Sequence, residues 1–501
     1  MPFMFNFIPG ASSFRAPGAF FEAQSGGQFV SKTTTLVMGC RGTNGLVAWP
    51  NDTPRICPTI EEAATLAGFG TPLYESYRVA RLNDPSGEIW ISSVPVTGTA
   101  AVWTLTLASL PATGGDYVIE IAGREIRGTM AAGEVVATTA TNLAAAINAY
   151  ADPLTKAGLP VTAAAAAAVV TLTARTPGAF MNELDIFSDP LNANNILGPT
   201  GRLTVANSVP GVGTPTAAAT LAALGDEIFG QIISPFGDAT NLGSASTALA
   251  DSNGRWSYLA QLYGHYSSVV TGNTAALISA GAAQNDKHLS LLGRVASPTP
   301  SWEWAAGYFA RQSNWLYDDA NGNAARNQTG LIVAGVRPPR NRADWPSVLT
   351  TQNSLINAGI CTWAVDGAGN VVINKAVTTY KRNGAGQPDI EFSNLQRMFQ
   401  VMHIFRYARA KLSFKHTNKS TSAANPANVP AISTVDDVKA DMVEILYDLE
   451  RQGIIESPAK AARLLEVTRD TANPSRINIG ATVDGTDPLD ILAAVVVFRQ
   501  L

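Results

Sequence analysis

Short apolar runs alternate with amphipathic stretches from the start of the folded part of the chain. After Lys32 the run TTTLVMGC reads as a buried strand ending at Gly39, and residues 89–94 read as a second strand. Between them, residues 59–69 form a short helix pattern with Thr59 as N-cap and Glu62 at N3. Strand, helix, strand in that order opens an α/β layer. Residues 1–25 carry Pro9-Gly10 and Pro17-Gly18 with little periodicity, which predicts an extended arm, a disordered terminus being the alternative. From residue 96 to 205 the pattern changes to Thr/Ala/Val-rich stretches of period two: TLTL at 104–107, YVIEIAG at 117–123 and VVTLTA at 169–174. This predicts a β-rich insert with one packed helix at 141–150, where Leu143, Ile147 and Tyr150 share a face. The alanine run 163–168 favours a helix intrinsically. Its Pro160-Val161-Thr162 lead and β-branched exit favour instead a strand pair that turns inside it.

Beyond the insert, a helix at 217–225 hands over to a strand at 228–233 that stops at Ser234-Pro235, so the α/β pattern resumes. Helices are predicted at 255–266, 274–284 and 302–315, and strands at 290–295, 331–335, 360–365 and 370–373. The turn Asp366-Gly367-Ala368-Gly369 joins the last two strands as a hairpin. A long helix over 394–412 repeats Met398, Val401, Met402, Phe405 and Ala408 at helical spacing, a stripe that reads as core. Another helix opens at Thr434 with Asp437 at N3, buries Val438, Met442, Ile445 and Leu449, and ends at Gly453. A strand at 476–479, a turn at Asp484-Gly485 and the strand-like ending DILAAVVVFRQL close the chain. The fold class is therefore α/β in its core and α+β overall. The expected divisions are an N-terminal arm (1–25), a core α/β domain in two parts (26–95 and 206–380), an inserted β-rich outer domain (96–205), a C-terminal α+β domain (381–485) and a C-terminal arm strand (486–501).

Composition narrows the function classes. Hydrophobic residues make up 46% of the chain and charged residues 15%, with a net charge of −4, 43 Gly and 29 Pro, which suits a loop-rich protein whose surface meets other protein; a large cytosolic enzyme would share it. The slightly acidic balance and the lack of a basic tail argue against a nucleic-acid partner. Membrane insertion is not expected, because no positive residue precedes Arg15 and the late apolar run 491–498 falls far short of the ~20 residues of a span. Cys40, Cys57 and Cys361 are too few and scattered for a disulfide framework or thiolate metal site, which fits synthesis in a reducing cytoplasm.

Catalytic and metal signatures are missing from the sequence. His265, His288, His403 and His416 show neither HxxxH nor HExxH spacing and read as structural or surface residues; there is no GxSxG elbow and no phosphate loop. The tract DDANGN at 318–323 resembles a calcium loop, but its glycine is misplaced and the distal glutamate is missing, so a solvated turn fits better. No catalytic residue, metal site or cofactor is predicted. Residues 392–435 hold Arg397, Arg406, Arg409, Lys411, Lys415 and Lys419 with no Asp or Glu. Three readings of that cationic stretch stand: a solvated helix face, a patch for an acidic protein partner, or a nucleic-acid site unsupported by any aromatic-interleaved motif. At the C-terminus, an apolar β-branched strand left exposed would be an aggregation hazard, so it should be paired, with Ile491, Val495, Val497 and Phe498 as the candidate inter-subunit residues.

The order and spacing of several segments resemble the tail sheath proteins of Mu-like contractile phages across nearly the whole chain. They are AALGDEIFGQIISPFGDATNL, RWSYLAQLYGHY, NDKHLSLLGRVASPTPSWEWAAG, GICTWAVDGAGNVVINKAVTTY and the closing FRQL, together with YVIEIAGREIRGTMAAGEVVATTATNLAAAINA and VVTLTARTPGAFMNELDI in the insert. The chain departs from the family pattern at Ser257-Tyr258, where a proline or glycine follows the tryptophan, and at Tyr263, where an acidic residue is usual. The resemblance implies a split core of subtilisin-like topology without protease activity, an outward insert, and a C-terminal domain facing a tail tube, with terminal arms adding strands to neighbours' sheets. It implies a structural subunit that assembles with itself as stacked hexameric rings in a helical lattice, contacts tail tube, baseplate and tail terminator proteins, and contracts to drive the tube through a host envelope. It also implies a place in the virion tail after assembly in the host bacterial cytoplasm. On that reading Arg397, Arg406, Arg409, Lys411 and Lys415 become tube-contact candidates. A split α/β hydrolase acting on surface polymer, or another virion building block such as a baseplate protein, are the competing readings.

Overall fold

The computed structural model describes residues 34–42, 47–317 and 325–495. The predicted N-terminal arm, the tract 318–323, Val497 and Phe498 lie outside the described residues. The main sheet starts with β1 (Thr34–Gly39), β2 (Arg55–Ile56) and β3 (Glu88–Ser93), with α1 (Ile60–Ala67) and α2 (Pro72–Asn83) between the last two. α1 begins at the predicted cap, the Thr59 hydroxyl accepting from the Glu62 amide at 3.2 Å. α2 is opened by Thr71, whose hydroxyl accepts from the Tyr74 amide, and by Pro72 in its first turn.

The chain then leaves the main sheet for β4 (Val102–Leu107), β5 (Gly115–Ile121), β6 (Arg124–Met130), α3 (Val136–Ala149), β7 (Val161–Ala166), β8 (Val169–Ala174), β9 (Ile186–Phe187) and β10 (Leu203–Val209). These strands make two sheets, β10-β4-β8-β7 and β6-β5-β9, around their own apolar cluster of Trp103, Leu105, Ile119, Leu143, Ile147 and Leu172. The alanine run is the strand pair expected, with Ala167 at φ 50° in its turn. On the outer edge of β7, Asn148 from α3 donates to the Ala163 carbonyl and accepts from its amide, which covers that edge.

The main sheet resumes through α4 (Ala218–Ala222), β11 (Phe229–Ile233), α5 (Ala239–Leu249), β12 (His265–Thr271), α6 (Thr274–Ala282), β13 (Leu289–Arg294), α7 (Ser301–Leu316), α8 (Gln352–Asn357), β14 (Ile360–Val365) and β15 (Val371–Lys375). Its order is β15-β14-β13-β12-β11-β1-β3-β2. All pairings are parallel except the antiparallel edges β14–β15 and β2–β3. β11 and β13 are buried at every residue, the mark of a parallel sheet covered on both faces. The C-terminal part adds α9 (Leu395–His416), α10 (Val435–Arg451) and α11 (Pro458–Arg463), with a hairpin of Glu466–Arg469 and Ile477–Gly480. α9 sinks Leu395, Met398, Phe399 and Met402 into the main core, so this region is packed onto the sheet through its first turns.

A buried ionic quartet joins the insert to the main sheet's helices. Arg124, at the start of β6, reaches Glu75 of α2 at 2.7 Å and Glu303 of α7 at 3.0 Å, while Arg78 of α2 completes the set at 2.6 Å from Glu75 and 3.3 Å from Glu303. The Gly158 amide donates to the other Glu75 oxygen at 2.7 Å. A buried charge is tolerable only when paired and hydrogen-bonded, and two carboxylates facing two guanidiniums satisfy that condition.

Five expectations need correction. The turn expected at Asp484-Gly485 is a two-residue strand paired with Ile455–Glu456, and Phe405, expected in the core stripe of the long helix, is 44% exposed. Residues 255–266 are not a helix but a run of turns leading into β12, because side chains hold the backbone in irregular shape: Arg255 donates to the Gly225 and Glu227 carbonyls and Trp256 to the Gly264 carbonyl, and Gln261 sits at φ 53°. The strand expected at 331–335 is a single bridge, Ile332 to Val372. The strand-like ending shows no strand among residues 490–495.

Candidate interaction surfaces

The C-terminal segment is tied down and then released. Asp484–Gly485 pairs with Ile455–Glu456, and the buried Gln400 of α9 donates to the Thr486 carbonyl at 2.7 Å. Arg397 bonds Asp487 at 2.8 Å, and Lys375 at the end of β15 pairs with Asp490. From there Ile491, Leu492 and Val495 are 83%, 82% and 91% exposed. Apolar and without a strand pairing among the described residues, this stretch leaves its side chains to solvent. Gln400, Arg397 and Lys375 were missed in this role by sequence reasoning, since they lie 86 to 115 positions from their partners along the chain with no local signal.

The cationic stretch is largely neutralised in space. α9 and α10 run antiparallel, as the pairs His403–Gln452, Tyr407–Asp448 and Lys415–Asp441 show, and α10 supplies the acids that residues 392–435 lack. Lys415 lies 2.6 Å from Asp441 and also pairs with Glu444; burial disfavours its charge, but these two carboxylates outweigh that and raise its pKa. Lys411 stands 3.8 Å from Asp448 and over the Tyr407 ring. Arg397 is turned to the C-terminal segment, and the half-buried Arg406 donates to the Tyr263 carbonyl, with burial lowering its pKa. Of the five tube-contact candidates, Arg409 is the exposed one. Phe414, 89% exposed near the end of the same helix, adds an apolar contact point that the sequence pattern did not single out.

The histidines occupy structural settings. His265 is fully buried, its Nε2 2.9 Å from the Ser290 hydroxyl, which itself donates to the Val377 carbonyl; burial pushes its pKa down to about 3, so it is neutral. Because the serine proton is committed to a carbonyl, the pair is not an activated nucleophile. His288 bonds Asp286 at 2.9 Å, faces Asp251 at 3.4 Å and lies 4.8 Å from the Trp256 ring. Burial opposes its charge, but Asp251 and Asp286 outweigh burial and raise its pKa. Among the described residues no group of three or more His, Cys, Asp or Glu is placed to hold a metal ion, and no helix is long and apolar enough to cross a membrane.

Residues 210–379, which include β11 to β15, match the family model of the phage tail sheath protein central domain. Over 489 residues the chain is 25% identical to the Mu-like prophage FluMu tail sheath protein of Haemophilus influenzae, with 96% of each chain covered. Among solved structures, a sheath tail protein from Listeria innocua aligns over 91% of this chain and 92% of its own at 10% identity and a TM-score of 0.45. A chain of the 6-fold symmetrised anti-feeding prophage baseplate aligns over 56% and 73% at 16% identity and a TM-score of 0.39.

Proposed function

We propose, from the premise that the chain belongs to the phage tail sheath proteins, that it polymerises helically around a tail tube and contracts to drive that tube through a host envelope during genome delivery. The family is structural rather than enzymatic, so the mechanical work is conformational energy stored in the assembled lattice. The observation that carries this reading is the similarity to a tail sheath protein over 96% of both chains. The exposed segment at Ile491, Leu492 and Val495 supports its assembly half: main-chain bonds to a neighbour's sheet edge would give strength, and alternate side chains would set register. Contacts to the tube need to be individually weak, since many modest ones summed over a lattice hold an extended state that remains metastable. Arg409 and Phe414 are exposed residues of α9 placed to make them. The partners on this reading are further copies of the chain in stacked hexameric rings, the tail tube protein, and baseplate and terminator proteins, in a virion tail assembled in the host cytoplasm.

Negative-stain imaging of the purified protein tests the proposal. Hollow striated tubes support it, and discrete small oligomers point to the hydrolase alternative. Deleting residues 487–501 is expected to abolish tubes while leaving folded monomer; normal tubes from the truncated chain refute the arm. Arg409→Glu is expected to shift co-assembly with tube protein from filled sheaths toward empty tubes, and unchanged filling removes Arg409 from the contact.

A further inference from the structure

Between Asp484 and Asp490 two kinds of bond hold the chain to its own molecule. The inner half is main chain and buried amide. Beyond the Asp484–Gly485 pairing, the Thr486 amide donates to the Ile454 carbonyl at 3.2 Å, its hydroxyl to the Gly453 carbonyl at 2.7 Å, and Gln400 to the Thr486 carbonyl at 2.7 Å. The outer half is ionic and at the surface: Asp487, 75% exposed, pairs with Arg397 at 2.8 Å, and Asp490, 30% exposed, pairs with Lys375, while Asn327 donates to the Leu489 carbonyl.

The halves differ in how readily they open. Undoing the inner half leaves one N–H of the buried Gln400 amide unmet, the other keeping the Ile454 carbonyl at 3.3 Å, and a buried donor without a partner carries a desolvation penalty. Undoing the outer half costs less but is not free: it returns Asp487 and Asp490 to water and leaves Arg397 and Lys375, 15% and 16% exposed, without them, a cost that salt lowers.

The geometry points to a two-position tether: with the outer clasp closed the chain leaves the molecule at Ile491, and with it open it leaves after Thr486, so residues 487–490 are held as slack. This rests on the proposed reading of residues 491–501 as an arm bound by a second copy of the chain. Fully extended, those eleven residues span at most about 36 Å at roughly 3.3 Å each, and the four clasped residues add about 13 Å. A neighbour that shifts within the lattice is then followed by paying out slack, with the bound strand left in register.

The test removes length from the arm and restores it from the clasp. Excising Ala493 and Ala494 shortens the arm by two residues without flipping the faces of the remaining residues from Val495 onward. Tube yield is expected to fall at least tenfold with the clasp intact and to recover when Asp487→Asn and Asp490→Asn open it. Arg397→Gln with Lys375→Met opens the same clasp from the other side, and thermal melting identifies which variants are folded. Recovery in a folded clasp variant, with the shortened parent defective, supports the tether. Normal tubes from the shortened parent, or no recovery in either folded clasp pair, overturn it. Normal tubes after removal of all of residues 491–501 would instead sink the arm reading itself, so the two failures are distinct.

Discussion

Replacing Arg124 by methionine takes one of two cations out of a site where the side chains of Glu75, Arg78 and Glu303 are at most 3% exposed. Two carboxylates then share the single guanidinium of Arg78, leaving a net negative charge in low dielectric. The Ala122 carbonyl, which Arg124 Nη1 reaches at 2.9 Å, also loses its donor. Breaking a buried ionic network by removing one partner costs about 3–5 kcal/mol, mostly the penalty of the charge left behind. Restoring neutrality should therefore recover much of it, and the double variant Arg124→Met with Glu303→Gln is expected to regain at least half of the loss. Glu303 sets the pH dependence. Its carboxyl is raised above the ordinary value by burial first, with Arg124 and Arg78 opposing and Glu75 adding to the rise. A raised acid contributes stability that is fully present below its unfolded value near 4.5 and lost as pH rises through the folded one. Arg124→Met removes the main opposing charge, so its deficit should shrink as pH falls from about 7 toward 5. The assay is urea unfolding by tryptophan fluorescence in a background lacking residues 491–501, which on the arm reading uncouples folding from assembly; Trp302, one of nine tryptophans, lies buried at the junction. A loss below about 1 kcal/mol for Arg124→Met, or losses in the double variant that simply add, would refute this account.

Two further outcomes rest on the same kind of geometry. Stabilisation from the raised His288 is fully present below its unfolded value of 6.5 and lost as pH rises through the folded value. That from Asp251, held down to about 2 chiefly by its contact with His288, is present above 3.8 and lost as pH falls toward 2. Between those limits the protonated imidazole should quench Trp256, giving a fluorescence titration with a midpoint above 6.5 that His288→Gln abolishes; an unchanged titration in that variant sinks the assignment. Thr434 and Asp437 form a reciprocal capping box at the start of α10, so Thr434→Ala should lower stability by about 1 kcal/mol, read as a drop in melting temperature that Thr434→Ser does not share.

What was legible in the sequence shared one property, that its signal is local. VVTLTA alternates over its own length and is β8 residue for residue, and the cap at Thr59 and the box at Thr434 announce helix starts within four positions. α2 was invisible because PLYESYRVARLN puts Glu75 and Arg78 where an apolar stripe would be, and those charges are buried only because Arg124 and Glu303 arrive from far along the chain. α5, with Gly243 and a run of Ser, Thr and Ala, has little periodicity and is fixed instead by the Asp238 cap. The pairing of the cationic stretch was hidden for the same reason as α2: its counter-charges at Asp441, Glu444 and Asp448 sit on the next helix and meet it only after antiparallel packing.

Trp302 stands on α7, yet its indole is enclosed by the apolar cluster of the insert, edge-on to Phe180. The socket for that ring is built from residues synthesised well before the ring itself. At roughly 5–20 residues per second on the ribosome, the nascent β-rich insert waits on the order of 5–20 s with an unfilled hole at its base. Excised or grafted without the plug, it would carry that hole permanently, so swapping the module between proteins requires moving a piece of the helix beneath it as well.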